Sequence, residues 1–168
     1  MEIKKRYKWI KAIAIVKFDI EIGMVIEQIT PNKALTEQET KSVATLSFPE
    51  SNCSDKDYTH TFFYRFKTTS NKEFFFGYSY YIQHKDLSLP RGYLQKSLVI
   101  ITSLHFSSFY LNLVQLIGDA YFNNTKTNFL RVFVLLILKE LYESTLIWPS
   151  LCSNSLIDDF DVLVLKLS

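Results

Sequence analysis

The stretch RGYLQKSLVIIT, residues 91–102, decides how this chain folds. It opens on a cation, a glycine and an aromatic, and then becomes almost wholly apolar. Pro90-Arg91-Gly92 is turn chemistry, because proline fixes one backbone torsion and glycine accepts torsions closed to other residues. SLVIIT behind it is too short for a typical helix and does not alternate with polar residues. Such a run, bounded by turn signals, predicts a central strand covered on both faces. A central strand needs neighbours on either side, and the flanking sequence supplies them.

Just upstream, FFFGYSYYI (74–82) alternates with period two. Phe74, Phe76, Tyr78, Tyr80 and Ile82 share one face, and the small Gly77 and Ser79 lie on the other. THTFFYRFK (59–67) alternates in the same way, and TTSNKE is the turn that joins the two strands. Nearer the N-terminus, WIKAIAIVKF (9–18) and MVIEQIT (24–30) are separated by a few residues ending at Gly23, which predicts a hairpin. Thr36-Glu37-Gln38-Glu39 has the capping-box pattern, so a short helix is expected from Glu37 to about Thr45. Val43 and Leu46 should face inward, and Ser47-Phe48-Pro49 should end the helix, because a residue before proline is pushed out of helical torsions. Residues 50–57 are a polar loop.

Beyond the central strand, FSSFYLNLVQLIGDAYF (106–122) switches to a helical period. Phe106, Phe109, Tyr110, Leu113, Ile117 and Tyr121 form an apolar stripe opposite Ser108, Asn112, Gln115 and Asp119. The expected fold class is therefore α/β (α+β): a five-stranded, mainly antiparallel sheet with helices packed on its faces. Residues 123–147 are atypical, since NFLRVFVLLILKELYEST continues helically but is apolar all round over FVLLIL. Trp148-Pro149 ends that segment, and DVLVLKLS (161–168) reads as a closing strand. The whole chain, 1–168, is expected to be one domain.

Composition narrows the function classes. The 168 residues are 48% hydrophobic, 15% aromatic and 21% charged, the profile of a folded globular chain. The formal net charge is only +2, so no global field argues for nucleic acid. Tyr78, Tyr80 and Tyr81 lack the interleaved cations of a base-stacking surface. The one basic cluster, KKRYKWIK (4–11), is favoured as a lead-in to the first strand, with peripheral contact to an acidic membrane as the alternative. Cys53 and Cys152 have no metal-ligand spacing and read as reduced thiols of a cytoplasmic protein.

Catalytic signatures are missing from the sequence. It holds no phosphate loop, nucleophile elbow, HExxH or CxxC. His60, His84 and His105 sit in separate elements, and Asp158, Asp159 and Asp161 read as a solvated acidic turn more readily than as a cation site. No catalytic residue, metal or cofactor is expected. The chain reads as a binding module.

Five segments occur in an order that matches a known family: FDIEIGMVIEQITP (18–31), LTEQE (35–39), LSFPES (46–51), FGYSYYIQHKD (76–86) and RGYLQKSLVIIT (91–102). Together they resemble the N-terminal, upstream DENN region of DENN-domain proteins, nearest the DENN domain-containing protein 6 and AVL9-like branch. The likeness runs over about residues 10–122, and TKTNFLRVFVLLI (125–137) looks inserted. The resemblance implies a longin-like fold and a role as the upstream DENN lobe of a guanine-nucleotide exchange factor for Rab-family GTPases in vesicle traffic. It also implies a need for further C-terminal DENN lobes, and a cytoplasmic protein peripheral on endosomal or other vesicle membranes. The alternative is a stand-alone longin-type trafficking adaptor without exchange activity. Exchange needs no covalent chemistry, only a surface that favours the nucleotide-free GTPase. The residues singled out for GTPase contact, from expected exposure, are Glu37 and Lys41 on the capped helix and Lys85, Asp86 and Arg91 in the loop before the central strand.

Overall fold

A computed structural model describes residues 10–49, 57–69 and 73–123. The chain divides into two compact units, Met1–Gly118 and Asp119–Ser168. The atypical segment beyond residue 123, the closing strand and the acidic turn at Asp158 lie outside the described residues.

The first unit contains five strands, β1 (Ile10–Asp19), β2 (Gly23–Thr30), β3 (Tyr58–Lys67), β4 (Phe74–Lys85) and β5 (Tyr93–Thr102). Helix α1 (Glu37–Leu46) follows β2. Helix α2 (Ser107–Asn123) follows β5, and its residues up to Gly118 belong to this unit. The sheet order is β2-β1-β5-β4-β3, and every neighbouring pair is antiparallel. The stretch 93–102 is thus the middle strand, as its unbroken apolar run predicts, and residues 97–102 are buried throughout. Gly92, with φ +73°, makes the turn that delivers the chain into it.

The three inner strands, β1, β5 and β4, divide their side chains between two cores. Ala12 and Val16 of β1, Val99 and Ile101 of β5, Phe75 and Tyr81 of β4 and Phe66 of β3 pack with Val43, Ala44 and Phe48 of the α1 segment. The opposite face carries Ile13 and Ile15, Ile100 and Leu98, Tyr78 and Tyr80, cross-strand partners in register. On that face the Tyr78 ring stacks on Tyr110 of α2, with centroids 4.9 Å apart. Leu113, Val114, Ile117 and Gly118 are the other residues that α2 buries. Phe106, expected on that stripe, precedes the helix and is exposed, whereas Val114 and Gly118 are inside. On α1, Val43 is buried as expected, but Leu46 is exposed and Ala44 lies inside instead. At Gly118, α2 lies so close to the sheet that an added Cβ would meet Tyr80.

The ends of α1 are fastened by polar groups. At its start the capping box forms completely, with the Thr36 hydroxyl accepting from the Glu39 amide and Glu39 accepting from the Thr36 amide at 2.8 Å. At its end the Ser47 carbonyl accepts from the hydroxyls of Ser79 on β4 and Ser97 on β5, at 2.9 and 2.7 Å. All three serines are buried, so two hydroxyls satisfy a carbonyl that would otherwise be left dry. The second compact unit is described only over Asp119–Asn123, the last turn of α2, where the Tyr121 and Phe122 rings meet edge to face.

Candidate partner-binding surface

Glu39 is 3% exposed yet charged, and its surroundings explain why. Burial acts to raise its pKa. The amides of Thr36 and Thr69, the Thr36 hydroxyl and nearby Lys11 outweigh burial and hold the carboxyl below its ordinary value of 4.5. Its second oxygen accepts from the Thr69 amide at 3.0 Å, so one carboxylate ties the helix start to the turn after β3. A depressed folded-state pKa adds stability above the unfolded value, and that stability is lost as pH falls through the folded value. Glu39→Gln is expected to cost about 1–2 kcal/mol at neutral pH, since an amide nitrogen cannot accept from a backbone N–H. The same change should flatten the acid limb of stability below pH 4.5 without abolishing it, because Asp19, Glu37 and Asp86 are depressed as well. Chemical denaturation across pH checks both effects.

Around this pin, Glu37 and Lys41 point outward and form an i,i+4 pair at 2.8 Å. Lys85, Asp86 and Arg91 lie elsewhere. The α1 start contacts Thr69, beyond the end of β3, whereas Lys85 closes β4 at the opposite end of the sheet. At about 3.3 Å per residue along β4, the two groups are on the order of 30 Å apart. The structure brings Lys85, Asp86 and Arg91 together but keeps them from Glu37 and Lys41.

The loop carrying the second group is well organised. The Asp86 carboxylate accepts from the Ser88 amide and hydroxyl, and the Asp86 amide donates to the Gly92 carbonyl at 2.8 Å. Ser88 is the cause of the low Asp86 pKa, first through its hydroxyl and then through its amide. The Lys85 amide donates to Asp57 ahead of β3, and the Arg91 guanidinium lies 4.3 Å from the Phe18 ring centroid on β1. The neighbouring β1–β2 turn is built alike, with Asp19 accepting from the amides of Glu21 and Ile22. These two turns lift aliphatic side chains into solvent, with Ile20 60%, Ile22 74% and Leu87 82% exposed. Beside them Lys96 pairs with Glu27 at 2.7 Å.

Expected exposure points to Lys85, Asp86 and Arg91 but not to Ile20, Ile22 and Leu87. The available signal was an aliphatic residue flanked by turn-forming acids: Asp19-Ile20-Glu21-Ile22-Gly23 and Asp86-Leu87-Ser88. The acids consume themselves in holding the turn, and the aliphatic residue is left outside.

The histidines occupy separate places. His60 stacks between Tyr58 and Phe62, and His84 lies 3.9 Å from Asp57. His105 stacks on Phe76 at 4.5 Å and bonds to the Ser107 hydroxyl. Among the described residues no group of three His, Cys, Asp or Glu side chains is placed to hold a metal, and no helix is long and apolar enough to cross a membrane.

A two-cored antiparallel sheet with one helix after the first hairpin and another after the central strand is a longin-like domain. The family model of the transport protein Avl9 matches residues 10–155, so the chain belongs to the Avl9 family. It is 33% identical over 153 residues to a protein DENND6 homolog of Dictyostelium discoideum, covering 88% of this chain and 20% of that protein. It is 31% identical to protein DENND6A of Mus musculus and 32% identical to protein DENND6B of Homo sapiens, covering 70% and 68% of this chain. The chain spans 23% and 24% of those two relatives, and the matched region is their N-terminal part.

Proposed function

We propose that this chain is the upstream DENN lobe of a guanine-nucleotide exchange factor for a Rab-family GTPase in vesicle traffic, acting with further DENN lobes. The observation that carries the reading is membership of a transport-protein family over residues 10–155, on a longin-like sheet. An exchange factor works by binding the nucleotide-free GTPase more tightly than the loaded one, which demands an ordered surface rather than an acid, a base or a metal. The sheet end formed by the β1–β2 and β4–β5 turns suits such a contact. Exposed aliphatic Ile20, Ile22 and Leu87 stand beside Arg91 and Lys85 on hydrogen-bonded turns, so little order must be purchased on binding. Glu37 and Lys41 form a second contact at the other end of the sheet. The protein acts in the cytoplasm, peripheral on endosomal or other vesicle membranes.

The test is release of a fluorescent guanine nucleotide from a panel of Rab GTPases. The chain is added alone, or together with the following lobes of the Dictyostelium relative. Release accelerated when the lobes are present, and lost with Leu87→Asp plus Ile22→Asp, is the expected result. Stable GTPase binding with no release in either arm would make the chain a longin-type trafficking adaptor. No binding and no release with any GTPase would refute the exchange-factor reading.

A further inference from the structure

The two outer strands of the sheet are treated differently. β2 carries Glu27 and Gln28 outward, its pairing with β1 is broken by an irregularity at Ile15/Val16, and Pro31 follows its last residue, Thr30. These are devices that protect an edge from pairing with another chain. β3 has none of them over most of its length. It pairs with β4 through ten consecutive residues without a bulge, contains no proline, and places its cations, Arg65 and Lys67, at one end only. Among the described residues no strand lies beyond it. One face of β3 bears a continuous aromatic ladder. Tyr58 and His60 are 5.8 Å apart, His60 and Phe62 5.5 Å, Phe62 and Tyr64 6.4 Å, and Tyr64 and Phe66 6.3 Å. On the other face Phe63 is 45% exposed.

We infer that β3 is an assembly edge, at which a second copy of this chain adds its own β3 antiparallel and joins two five-stranded sheets into one. The sequence of the strand argues for self-pairing over a foreign strand. A two-fold axis through residue 61 or 62 sets odd residues opposite odd and even opposite even, so each face continues across the junction. Centred on Phe62, Tyr58 faces Phe66, His60 faces Tyr64 and Phe62 faces itself, which prolongs the aromatic ladder. The ends are complementary in charge: Asp57 of one copy faces Lys67 of the other in that register, and Arg65 when the axis passes through Thr61. Asp57, Arg65 and Lys67 are all exposed, and the two-fold forms each pair twice. A shift by one residue would set the aromatic ladder of one copy against the opposite face of the other, so only registers with the axis through a residue keep both faces matched.

Sedimentation velocity over a concentration series of the full chain tests this, using wild type, Asp57→Lys, Arg65→Glu with Lys67→Glu, and all three changes together. The wild type should form a dimer. Each partial reversal should weaken it about tenfold through two symmetry-related pairs, and the combined variant should recover most of the loss. Recovery separates pairing across the edge from any local effect of losing the Asp57 bond to the Lys85 amide. A chain that stays monomeric throughout, or a dimer that the reversals leave unmoved, would overturn the inference.

Discussion

Tyr78→Ala is expected to cost about 3–5 kcal/mol, a large share of the roughly 5–15 kcal/mol that holds a domain of this size together. Tyr78 is fully buried at the middle of β4, paired with Ile100 of the central strand, with Phe63 stacked beside it and Tyr110 over it. Its removal leaves a cavity bounded by three elements that the sheet hydrogen bonds prevent from collapsing. Urea denaturation followed by circular dichroism would register the loss as a lower midpoint with an unchanged slope. Phe63→Ala, at a half-exposed ring on the same face, should cost less than half as much. Equal effects would mean that the α2-side core is not where the structure puts it.

Gly118→Val is the second large expectation. A Cβ at Gly118 would fall against Cβ, Cγ and Cδ1 of Tyr80, the root of that side chain and not its free end. Tyr80 cannot swing aside, because its own backbone is held between β3 and β5. Overpacking of this kind costs about 1–3 kcal/mol, and the gain in helix propensity on leaving glycine, about 0.5 kcal/mol for valine, does not cancel it. Gly118→Ala gains about 1 kcal/mol of propensity against the same obstruction, so it should lie between wild type and valine. Gly77 offers a contrast. A Cβ there would meet the ring tip and hydroxyl of Tyr64, the far end of its side chain, whose hydroxyl donates to the Val43 carbonyl at 3.5 Å. Thermal melts of Gly77→Ala and Gly118→Ala should therefore rank the first as milder after allowance for helix propensity.

These two positions show why part of the fold was legible in the sequence and part was not. Alternation placed Tyr78 and Tyr80 on one face of β4, and the unbroken SLVIIT run placed β5 in the centre, because burial writes a period directly into a strand. The capping box around Thr36 and Glu39 marked the start of α1 for a similarly local reason. The helix faces were less well defined. Val114 and Gly118 of α2, and Ala44 of α1, lie inside, while Phe106 and Leu46 lie outside. Close approach of a helix to a sheet selects small residues, and hydrophobicity alone ranks a phenylalanine above a glycine. The partner of Glu39 was illegible too, since Thr69 is thirty residues away and is reached only through the fold.

The candidate surface divides in the same way. Charged residues of the β4–β5 loop could be named from exposure, and Arg91 does lie at the surface, braced on Phe18. The aliphatic residues could not, because Ile20 and Leu87 come from different turns that reach the same end of the sheet only when β1 and β5 pair. The separation of Glu37 and Lys41 from the loop follows from α1 starting at the far end of the sheet. A single GTPase touching both groups would have to span the length of β4.

Under the proposed function, this lobe recognises a Rab-type GTPase in the state an exchange factor must favour. Titration calorimetry of the chain against each GTPase of the Rab panel, prepared nucleotide-free and GDP-loaded, is the decisive test. A ligand with equal affinity for two states shifts neither, so exchange requires the nucleotide-free form to bind more tightly. Tighter binding of the nucleotide-free form, weakened by Leu87→Asp, is the expected result. Equal affinity for the two forms, or binding to neither across the Rab panel, would contradict it.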